Sequence, residues 1–568
     1  MVEAATHTRN LKKRDLSRLT MSIVIIVLCN FVGTFLFHRF DLTSEKRYTL
    51  SPESKEIAKN LKVTAFFKIY LDGKLPPGLI KLRDETKEML DEFRAYSNGK
   101  IQYEFINPSA SSDEQQQKAV FHQLYEAGLT PTELEVKDNS GNSQQIIWPG
   151  AILSYMGRDI PIQLLQTQMD ADPQTQLNNS IEALEYDIDN AIHKLSIQMR
   201  PRVAFIDGQG ELDSLSTADA LKGLSEYYDV HRITLHQRLK SLQTYKAIII
   251  AKPDTAFDEK DKFIIDQFIM RGGKVLWLLD ALSAPMDSLK RNGMTLAFPA
   301  NLNLEDQLFK YGVRVNTNLI MDMQCADIQL NMAYPGQQPQ FKPFPWFFEP
   351  LISSTSDNPI VKNLNLIELN LANTIDTIAV RGIKKTILLT TSKYTRLMNS
   401  PARVSLAMAQ MKPDERQFTR SFEPVAVLLE GKFTSLYKDR IDMPKDSINA
   451  MGFTAESIPT SMIVVSDGDV IANAVRHSDN FTYPLGYDIY MKTQFGNRDF
   501  IINCMNYLCG DENLLTIRTK QLTLRLLDGK KAVTFRTRLQ IINMVIPIAL
   551  IILLGIIMTW IRKQKYAK

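Results

Sequence analysis

The sequence has few of the residues that build metal, redox and nucleotide sites. It contains only 4 cysteines and 7 histidines among 568 residues. No cysteines form a C-x-x-C pair and no histidines stand at ligand spacing, so we expect neither a disulfide framework nor a metal site. No Gly-Lys pair is followed by Ser or Thr, so the phosphate loop G-x-x-x-x-G-K-[ST] is missing. We therefore expect no cofactor and no ATPase site in this chain.

The sequence also lacks a strong charge of either sign. Its formal net charge is +4, and the lysines and arginines are dispersed along the chain. Nucleic-acid-binding proteins concentrate basic residues in a patch or a run. We therefore expect no nucleic-acid partner.

Long apolar runs occur at the two ends of the chain. Residues 19–38 and 539–561 carry no formal charge, and each is near the length of about 20 residues that crosses a bilayer as a helix. Basic residues flank them on the terminal sides: Arg9, Lys12, Lys13, Arg14 and Arg18, and Arg562, Lys563, Lys565 and Lys568. Because basic flanks favour the cytoplasm, we predict two transmembrane helices, cytoplasmic tails at 1–18 and 562–568, and an extracytoplasmic body.

Both apolar segments contain amide side chains. Asn30 lies in the first segment, and Gln540 and Asn543 lie near the outer end of the second. Amides within a bilayer favour hydrogen-bonding neighbours, each contact contributing on the order of 1 kcal/mol. We expect these three residues to face a membrane-embedded partner; the alternative is that the segments are plain anchors.

The body begins with an α/β pattern at residues 45–199. Val63–Tyr70 and Ile101–Ile106 have the composition of strands, and the segment between them has apolar residues at helical spacing. This order predicts a βαβ unit of thioredoxin-like size. Thioredoxin chemistry is not expected, because it requires a C-x-x-C pair.

Continuous apolar strands follow at residues 200–300. They are Val203–Asp207, Ala247–Ala251 and Lys274–Asp280, and they alternate with helical segments. This alternation predicts an open α/β fold, a parallel sheet covered on both faces. We predict that residues 301–510 form a β-rich continuation of the body and that residues 511–538 form a connector.

Candidate functional residues lie where two of these strands end. They are Asp207, Gly208, Gly210, Glu211 and Asp280. Ligand crevices form at the carboxyl ends of strands in open α/β sheets, and paired carboxylates there could act as acid and base. No cysteine lies in this core to serve as a nucleophile, so we expect a ligand or interaction turn rather than an enzyme. The plainer alternative is that two glycines permit a tight connection.

Residues 335–350 combine proline with aromatic side chains. The aromatic residues are Phe344, Trp346, Phe347 and Phe348. The proline content predicts an irregular segment. It either packs on its own domain or forms an exposed apolar patch for a partner.

Several stretches, taken in order between the two apolar segments, resemble one family. They are Arg47–Leu61 (RYTLSPESKEIAKNL), Ile181–Leu195 (IEALEYDIDNAIHKL), Gly208–Glu211 (GQGE), Phe263–Asp280, Pro424–Tyr437 and Ser466–Asn473 (SDGDVIAN). Together they resemble the GldG family, the gliding-motility ABC-transporter auxiliary proteins of Bacteroidota. The family pattern at the turn is G-H-G-E, and Gln209 stands here in place of the histidine.

The resemblance implies a non-catalytic subunit that works with a separate permease, GldF, and a separate ATPase, GldA. It implies the bacterial inner (cytoplasmic) membrane, a periplasmic body, an amidotransferase-like or sugar-binding-like core similar to a domain of intraflagellar-transport proteins, and room for two copies per complex. Two alternatives stay open. One is an envelope scaffold of the motility machinery without transport, and the other is an extracytoplasmic carbohydrate-binding or hydrolytic α/β protein.

The predicted topology can be tested with reporter fusions. A cytoplasm-active reporter fused after Lys568 is expected to be active, because the basic flank holds that end in the cytoplasm. The same reporter fused within the body is expected to be inactive. A periplasm-active reporter working at Lys568, or a mature N-terminus that begins after His38, would contradict the prediction.

Overall fold

The structure is a computed structural model. It describes residues 17, 19–28, 49–111, 113–138, 141–165, 172–197, 199–238, 240–333, 337–354, 356–362, 364–438, 452–510 and 536–566. Contacts divide the chain into two compact units, residues 1–520 and 521–568. The first unit contains a large mixed α/β body and a short apolar helix, α1 (Leu19–Leu28).

The body begins with a four-stranded α/β part at residues 49–197. Its helices are α2 (Pro52–Lys59), α3 (Pro77–Tyr96), α4 (Glu114–Glu126) and α5 (Pro173–Ser196), and its strands are β1 (Ala65–Ile69), β2 (Ile101–Phe105), β3 (Thr132–Asp138), β4 (Gly141–Ile147), β5 (Gly150–Tyr155) and β6 (Arg158–Gln163). The sheet order is β2-β1-β5-β6, with β1 parallel to β2 and antiparallel to β5. Helix α3 connects β1 to the parallel strand β2 in a βαβ order. Strands β3 and β4 form a separate hairpin.

Local sequence signals explain helix α3. Pro77 occupies its first turn, where a missing N–H costs nothing. Gly99, at φ 77°, follows its C-terminal end. The inward face carries Leu82, Leu90 and Phe93, which are buried in the core beneath the sheet.

Two stretches that carry the resemblance meet in this part of the body. Ser51 caps helix α2 by accepting a hydrogen bond from Ser54 N at 3.1 Å. On helix α5, Glu185 Oε1 accepts from Ser51 N at 2.6 Å and from Ser54 Oγ at 2.7 Å. Asp189 also accepts from Ser54 Oγ. Since hydrogen bonds to carboxylates are stronger than neutral ones, they fix the start of α2 onto α5.

Within the described residues, the rest of the body contains five α-helices and most of the strands. The helices are α6 (Ala218–Ser225), α7 (Glu259–Met270), α8 (Met286–Asn292), α9 (Glu305–Tyr311) and α10 (Asn497–Cys509). The strands are β7 (Arg202–Asp207), β8 (Asp229–Thr234), β9 (Ala247–Ala251), β10 (Lys274–Leu278), β11 (Leu282–Ser283), β12 (Met294–Pro299), β13 (Val313–Val315), β14 (Asn318–Asp322), β15 (Cys325–Asn331), β16 (Phe341–Ile352), β17 (Ile367–Glu368), β18 (Ile375–Thr377), β19 (Ile383–Thr390), β20 (Thr395–Asn399), β21 (Ala402–Ser405), β22 (Pro424–Gly431), β23 (Thr460–Val465), β24 (Val475–Arg476), β25 (Phe481–Thr482), β26 (Tyr487–Asp488) and β27 (Thr493–Gln494).

A seven-stranded sheet forms the centre of this larger part, in the order β19-β22-β23-β10-β9-β7-β8. Strands β23, β10, β9, β7 and β8 run parallel, and β22 and β19 extend the sheet in antiparallel fashion. The sheet therefore combines strands from before and after residue 300. Strand β9 is buried at every position, as its continuous apolar sequence predicts.

Helices and loops cover both faces of this sheet. Along β7, Val203 and Phe205 face one buried cluster, and Ala204 and Ile206 face the other. Helices α6 and α10 contribute to the first cluster, and α7 and α9 to the second. Because successive side chains of a strand point to opposite faces, this alternation explains why the strand is apolar throughout.

The aromatic segment at 335–350 corrects the expectation of an irregular segment. Its residues from Phe341 onward form strand β16, which pairs with β15 from Phe341 to Pro350 and meets β17 only at its last two residues. Prolines are tolerated here because a strand with one paired side loses no hydrogen bond on the other. Trp346, Phe347 and Phe348 are buried in a separate core cluster and Phe344 is partly buried, so these rings do not form an exposed patch.

The second unit contains helix α11 (Arg536–Tyr566). Its segment Gln540–Gln564, 25 residues, is long and apolar enough to cross a membrane. The helix continues through Pro547. Helix α1 is shorter, and the predicted first transmembrane segment continues into residues outside the described ones.

Truncating a buried ring of strand β16 should destabilise the protein. Phe348→Ala is expected to cost about 3–5 kcal/mol, because Phe348 is 0% exposed and its removal leaves a cavity. Phe341→Ala, on the same strand but 63% exposed, is the matched control and should change little. Urea unfolding followed by tryptophan fluorescence measures both. Unchanged stability of Phe348→Ala would contradict this placement.

Candidate functional site

The loops after four parallel strands meet at one edge of the seven-stranded sheet. They follow β7, β9, β10 and β23, and they contain Asp207–Glu211, Lys252, Asp280 and Asp467–Asp469. Because parallel strands point the same way, their carboxyl ends lie side by side. All five residues predicted from the strand ends are therefore on this edge, and we call it the loop edge.

The loop edge includes the point where the strand order reverses. The chain runs from β7 to β8 on one side and then crosses to β9 on the other. Such a reversal usually leaves a ligand crevice. Here Leu212 N donates to Ala251 O at 3.1 Å. Asp254 N and Thr255 N donate to Gln209 O at 2.9 and 3.0 Å. Backbone hydrogen bonds between the loops therefore bridge the crevice.

Arg232 on strand β8 neutralises Asp207. Its Nε donates to Asp207 Oδ2 at 3.0 Å, and its Nη2 donates to Oδ1. The same guanidinium donates to Leu212 O and, at 2.9 Å, to Thr217 Oγ1. A bidentate pair of this kind fixes geometry as well as charge. Asp207 is therefore one half of an ion pair that holds the turn after β7.

The two glycines of the turn are required by its backbone. Gly208 and Gly210 have φ values of 127° and 73°, which glycine adopts at no steric cost. A Cβ at Gly210 would lie 1.6 Å from Asp254 Oδ1. Glu211 Oε2 accepts from Gln209 N at 2.7 Å, and burial raises the pKa of Glu211. These contacts support the plainer alternative for this motif, in which the two glycines permit a tight connection after β7.

Gln209 replaces the histidine that the resemblance expects. Its Nε2 donates to Oδ2 of the buried Asp261 at 3.3 Å, which links the turn to helix α7. Burial raises the pKa of Asp261. An amide keeps this hydrogen bond, but it does not titrate as an imidazole would. Position 209 therefore supplies no general base in this chain.

Lys252, after strand β9, is the cation within a group of carboxylates. Its Nζ pairs with Asp469 and lies 3.5 Å from Asp280 Oδ2. Asp280 Oδ1 also accepts from Gly468 N at 2.6 Å. Asp467 Oδ1 accepts from Asp469 N at 2.7 Å. The loops after β9, β10 and β23 are thus joined through one ammonium group.

Three carboxyl groups face this single ammonium group. Burial raises the pKa of Asp280 to about 6, although Lys252 partly opposes the shift. Burial, together with Asp469 and Asp280, raises the pKa of Asp467 well above its usual value. For Lys252, burial lowers the pKa, but Asp469 and Asp280 raise it by more. The lysine therefore stays charged near neutral pH, and Asp467 favours its protonated form.

Two further acids, both partly buried, lie on strands of a separate sheet. Burial raises the pKa of Glu349 on β16 to about 8, and Glu368 and Asp488 add to the shift. Burial and Asp488 raise the pKa of Glu368 on β17 to about 7. Among the described residues, the charges that shift Glu349 are all carboxylates. At neutral pH Glu349 therefore favours its protonated form, and Glu368 is divided about evenly between its protonated and ionised forms.

The arrangement of the described residues does not resemble a metal or thiol site. Within those ranges, no group of three or more His, Cys, Asp or Glu side chains is placed to hold a metal ion. Burial raises the pKa of Cys325 to about 12 and that of Cys504 well above its usual value. Both thiols are protonated at neutral pH and are poor nucleophiles.

The other predicted site residues are on helix α11 and strand β16 or lie outside the described residues. Gln540 and Asn543 are exposed on helix α11, where a spacing of three residues places them on one face. Asn30 lies outside the described residues. The ring of Phe344 packs against the core cluster that contains Trp346, Phe347 and Phe348.

Sequence reasoning missed a cleft of about 810 Å³ in the first unit. One wall is a polar face of helix α5 that includes Asn179, Glu182, Tyr186 and Asn190. The opposite wall includes Arg498, in the first turn of helix α10. The signal was present in the sequence, because these α5 residues recur at helical spacing opposite the apolar face.

Two family models together match most of the body. A family model described as ABC-type uncharacterized transport system matches residues 200–504. A second model, described as a domain of unknown function (DUF7088), matches residues 44–154. An uncharacterized protein of Borreliella burgdorferi is 22% identical over 444 residues, covering 76% of this chain and 80% of that protein.

Solved structures with partial similarity include the mmIFT52 N-terminal domain. It has 12% sequence identity and a TM-score of 0.31, covering 54% of this chain and 97% of that one. A ThuA-like protein from Parabacteroides merdae has 10% identity and a TM-score of 0.25, covering 55% of this chain and 91% of that one.

Stability should depend on pH through Glu349. The pKa of this acid is raised in the folded state, so its ionisation destabilises the fold increasingly as pH rises from its unfolded pKa of 4.5 to about 8. Glu349→Gln should therefore be more stable than the wild type at pH 8, on the order of 2 kcal/mol, with a much smaller difference at pH 5. Denaturant midpoints at both pH values measure this.

The exposed substitution Glu415→Gln is the control for that experiment. It should leave the midpoint unchanged at both pH values, because a solvated carboxylate pays no burial cost. Equal midpoints for Glu349→Gln and the wild type at pH 8 would show that Glu349 is not held in the protonated form.

Proposed function

Because the chain belongs to the family described as ABC-type uncharacterized transport system, we propose that it is a non-catalytic, membrane-anchored auxiliary subunit of an ABC transporter. The observation that carries the proposal is the family match to residues 200–504, which is more than half of the 568 residues. Helix α11, which follows that region, is long and apolar enough to serve as the anchor.

Separate subunits would supply the parts of a transporter that this sequence lacks. No G-x-x-x-x-G-K-[ST] motif occurs in the sequence, so ATP hydrolysis is assigned to a partner ATPase. Two apolar segments are too few to enclose a solute pathway, so the pathway is assigned to a partner permease. Within this proposal, the resemblance makes the partners GldA-like and GldF-like.

The resemblance also supports the finer parts of the proposal. The transporter serves gliding motility in a member of the Bacteroidota, in the inner membrane, with both termini cytoplasmic and the body periplasmic. The first part of the body is thioredoxin-like and the second amidotransferase-like, and two copies fit in one complex. The loop edge, including Asp207, Glu211 and Asp280, then serves as a ligand or interaction site and has no catalytic role.

Co-purification tests the proposal directly. Full-length protein extracted in mild detergent is expected to carry a permease and an ATPase in stoichiometric amounts. Recovery of envelope proteins alone would favour the alternative of a motility scaffold without transport. Loss of gliding on deletion is expected under both alternatives, so subunit recovery is the deciding measurement.

The amides of helix α11 give a site-specific test of the permease contact. A photocrosslinker attached at Asn543→Cys is expected to trap a protein with several membrane spans, because an amide in the bilayer favours a hydrogen-bonding neighbour. Val545→Cys is the matched control, since it lies about 200° around the helix and is also exposed. Equal trapping from both positions, or none from Asn543→Cys, would make the helix a plain anchor.

A further inference from the structure

Two short hairpins lie near the end of the body, and the second exposes an apolar tip. Strands β24 and β25 form the first, and β26 and β27 form the second. The tip of the second is Ile489–Lys492, in which Ile489, Tyr490 and Met491 are 40%, 66% and 44% exposed. Tight turns normally use Gly, Pro, Asn, Asp or Ser. Turn formation therefore does not explain three consecutive large apolar residues here.

Aromatic contacts join the two hairpins into one surface. The rings of Phe481 and Tyr483 are 5.0 Å apart and perpendicular, and those of Tyr483 and Tyr487 are 6.0 Å apart and stacked. Arg476 lies 4.9 Å from the centre of the Phe481 ring. We call the set Arg476, Phe481, Tyr483, Tyr487 and Ile489–Lys492 the hairpin surface.

The backbone of the second tip is fixed by a side chain. Asp488 Oδ1 accepts from Tyr490 N at 2.7 Å and from Met491 N at 3.1 Å. Lys492 closes the turn with φ 53°. Because the turn is hydrogen-bonded, its apolar side chains are held outward in a defined conformation.

We propose that the hairpin surface inserts into the interfacial layer of a lipid bilayer. Phenylalanine and tyrosine rings beside isoleucine and methionine match the chemistry of that layer, where an apolar body and a polar tip are both satisfied. Lys492 lies at the second tip, where a long basic side chain can reach the headgroups. In the first hairpin, Arg476 is paired with Asp479.

A bilayer fits this surface better than a protein pocket does, for two reasons. A hairpin tip is convex, and a fluid interface accommodates a convex apolar tip without a preformed cavity. Residues 510–535 join α10 to α11 and span at most about 90 Å when fully extended. If α11 is anchored, this tether keeps lipid at a high effective concentration around the body. The inference rests on the proposed anchorage but not on the partner subunits.

Tryptophan quenching in nanodiscs tests the inference on the full-length chain. Trp560→Phe first removes the indole of helix α11; Trp148, Trp277 and Trp346 are buried in the body. In that background, Tyr490→Trp is expected to lose emission when the phosphatidylcholine is brominated near the headgroup end of its acyl chains. Tyr125→Trp is the matched control, because Tyr125 and Tyr490 are both 66% exposed, and it should retain its emission.

Each other outcome overturns the inference. Emission of Tyr490→Trp that is unchanged by bromination means that the tip does not reach lipid, while incorporation into the nanodisc still supports the anchor. Equal quenching of Tyr125→Trp means that contact is unselective. Emission that changes only after a permease is added identifies a protein interface. Failure to enter the nanodisc refutes the anchorage and the inference together.

Discussion

The ammonium group of Lys252 joins the loops on which the larger part of the body depends. Strands β9 and β10 are close in sequence, but β23 comes from much later in the chain and pairs directly with β10. Lys252 contacts Asp280 after β10 and Asp469 after β23, so one cation holds the junction between distant segments. Its desolvation is offset because carboxylates surround it. The chain between β10 and β23 must therefore fold so that β23 returns beside β10.

Local patterns in the sequence were sufficient to identify strands but not their order in the sheet. The apolar runs of β7, β9 and β10 and the helices between them follow from periodicity. The position of β23 beside β10 could not be inferred, because strand order depends on long-range packing that no local pattern encodes. Strand β16 was missed for another reason: its prolines suggested irregular structure, although they are tolerated where a strand is paired on one side only.

The sequence predicted the position of the candidate site, but it did not predict how the residues of that site are paired. Asp207 and Asp280 lie at the strand ends as expected from the sequence, because a parallel sheet brings those ends together. Their partners, Arg232 and Lys252, lie on or follow other strands, so pairing could not be read from spacing. A carboxylate at a buried strand end must find a donor or a cation, or retain its proton. Here the tertiary structure places Arg232 and Lys252 beside these carboxylates. The carboxylates that suggested an acid and a base therefore form ion pairs within the fold.

Charged groups at the loop edge are paired within the chain, and other surfaces offer contacts of a different kind. At the loop edge, Asp207, Asp280 and Asp469 are each in an ion pair within the chain. The polar cleft beside α5, the exposed amides of α11 and the apolar tip of the second hairpin are three such surfaces. These features differ in chemistry, since a polar cleft suits a hydrated ligand and an apolar tip suits lipid. An auxiliary subunit assembled in this way would act through surfaces of different chemistry.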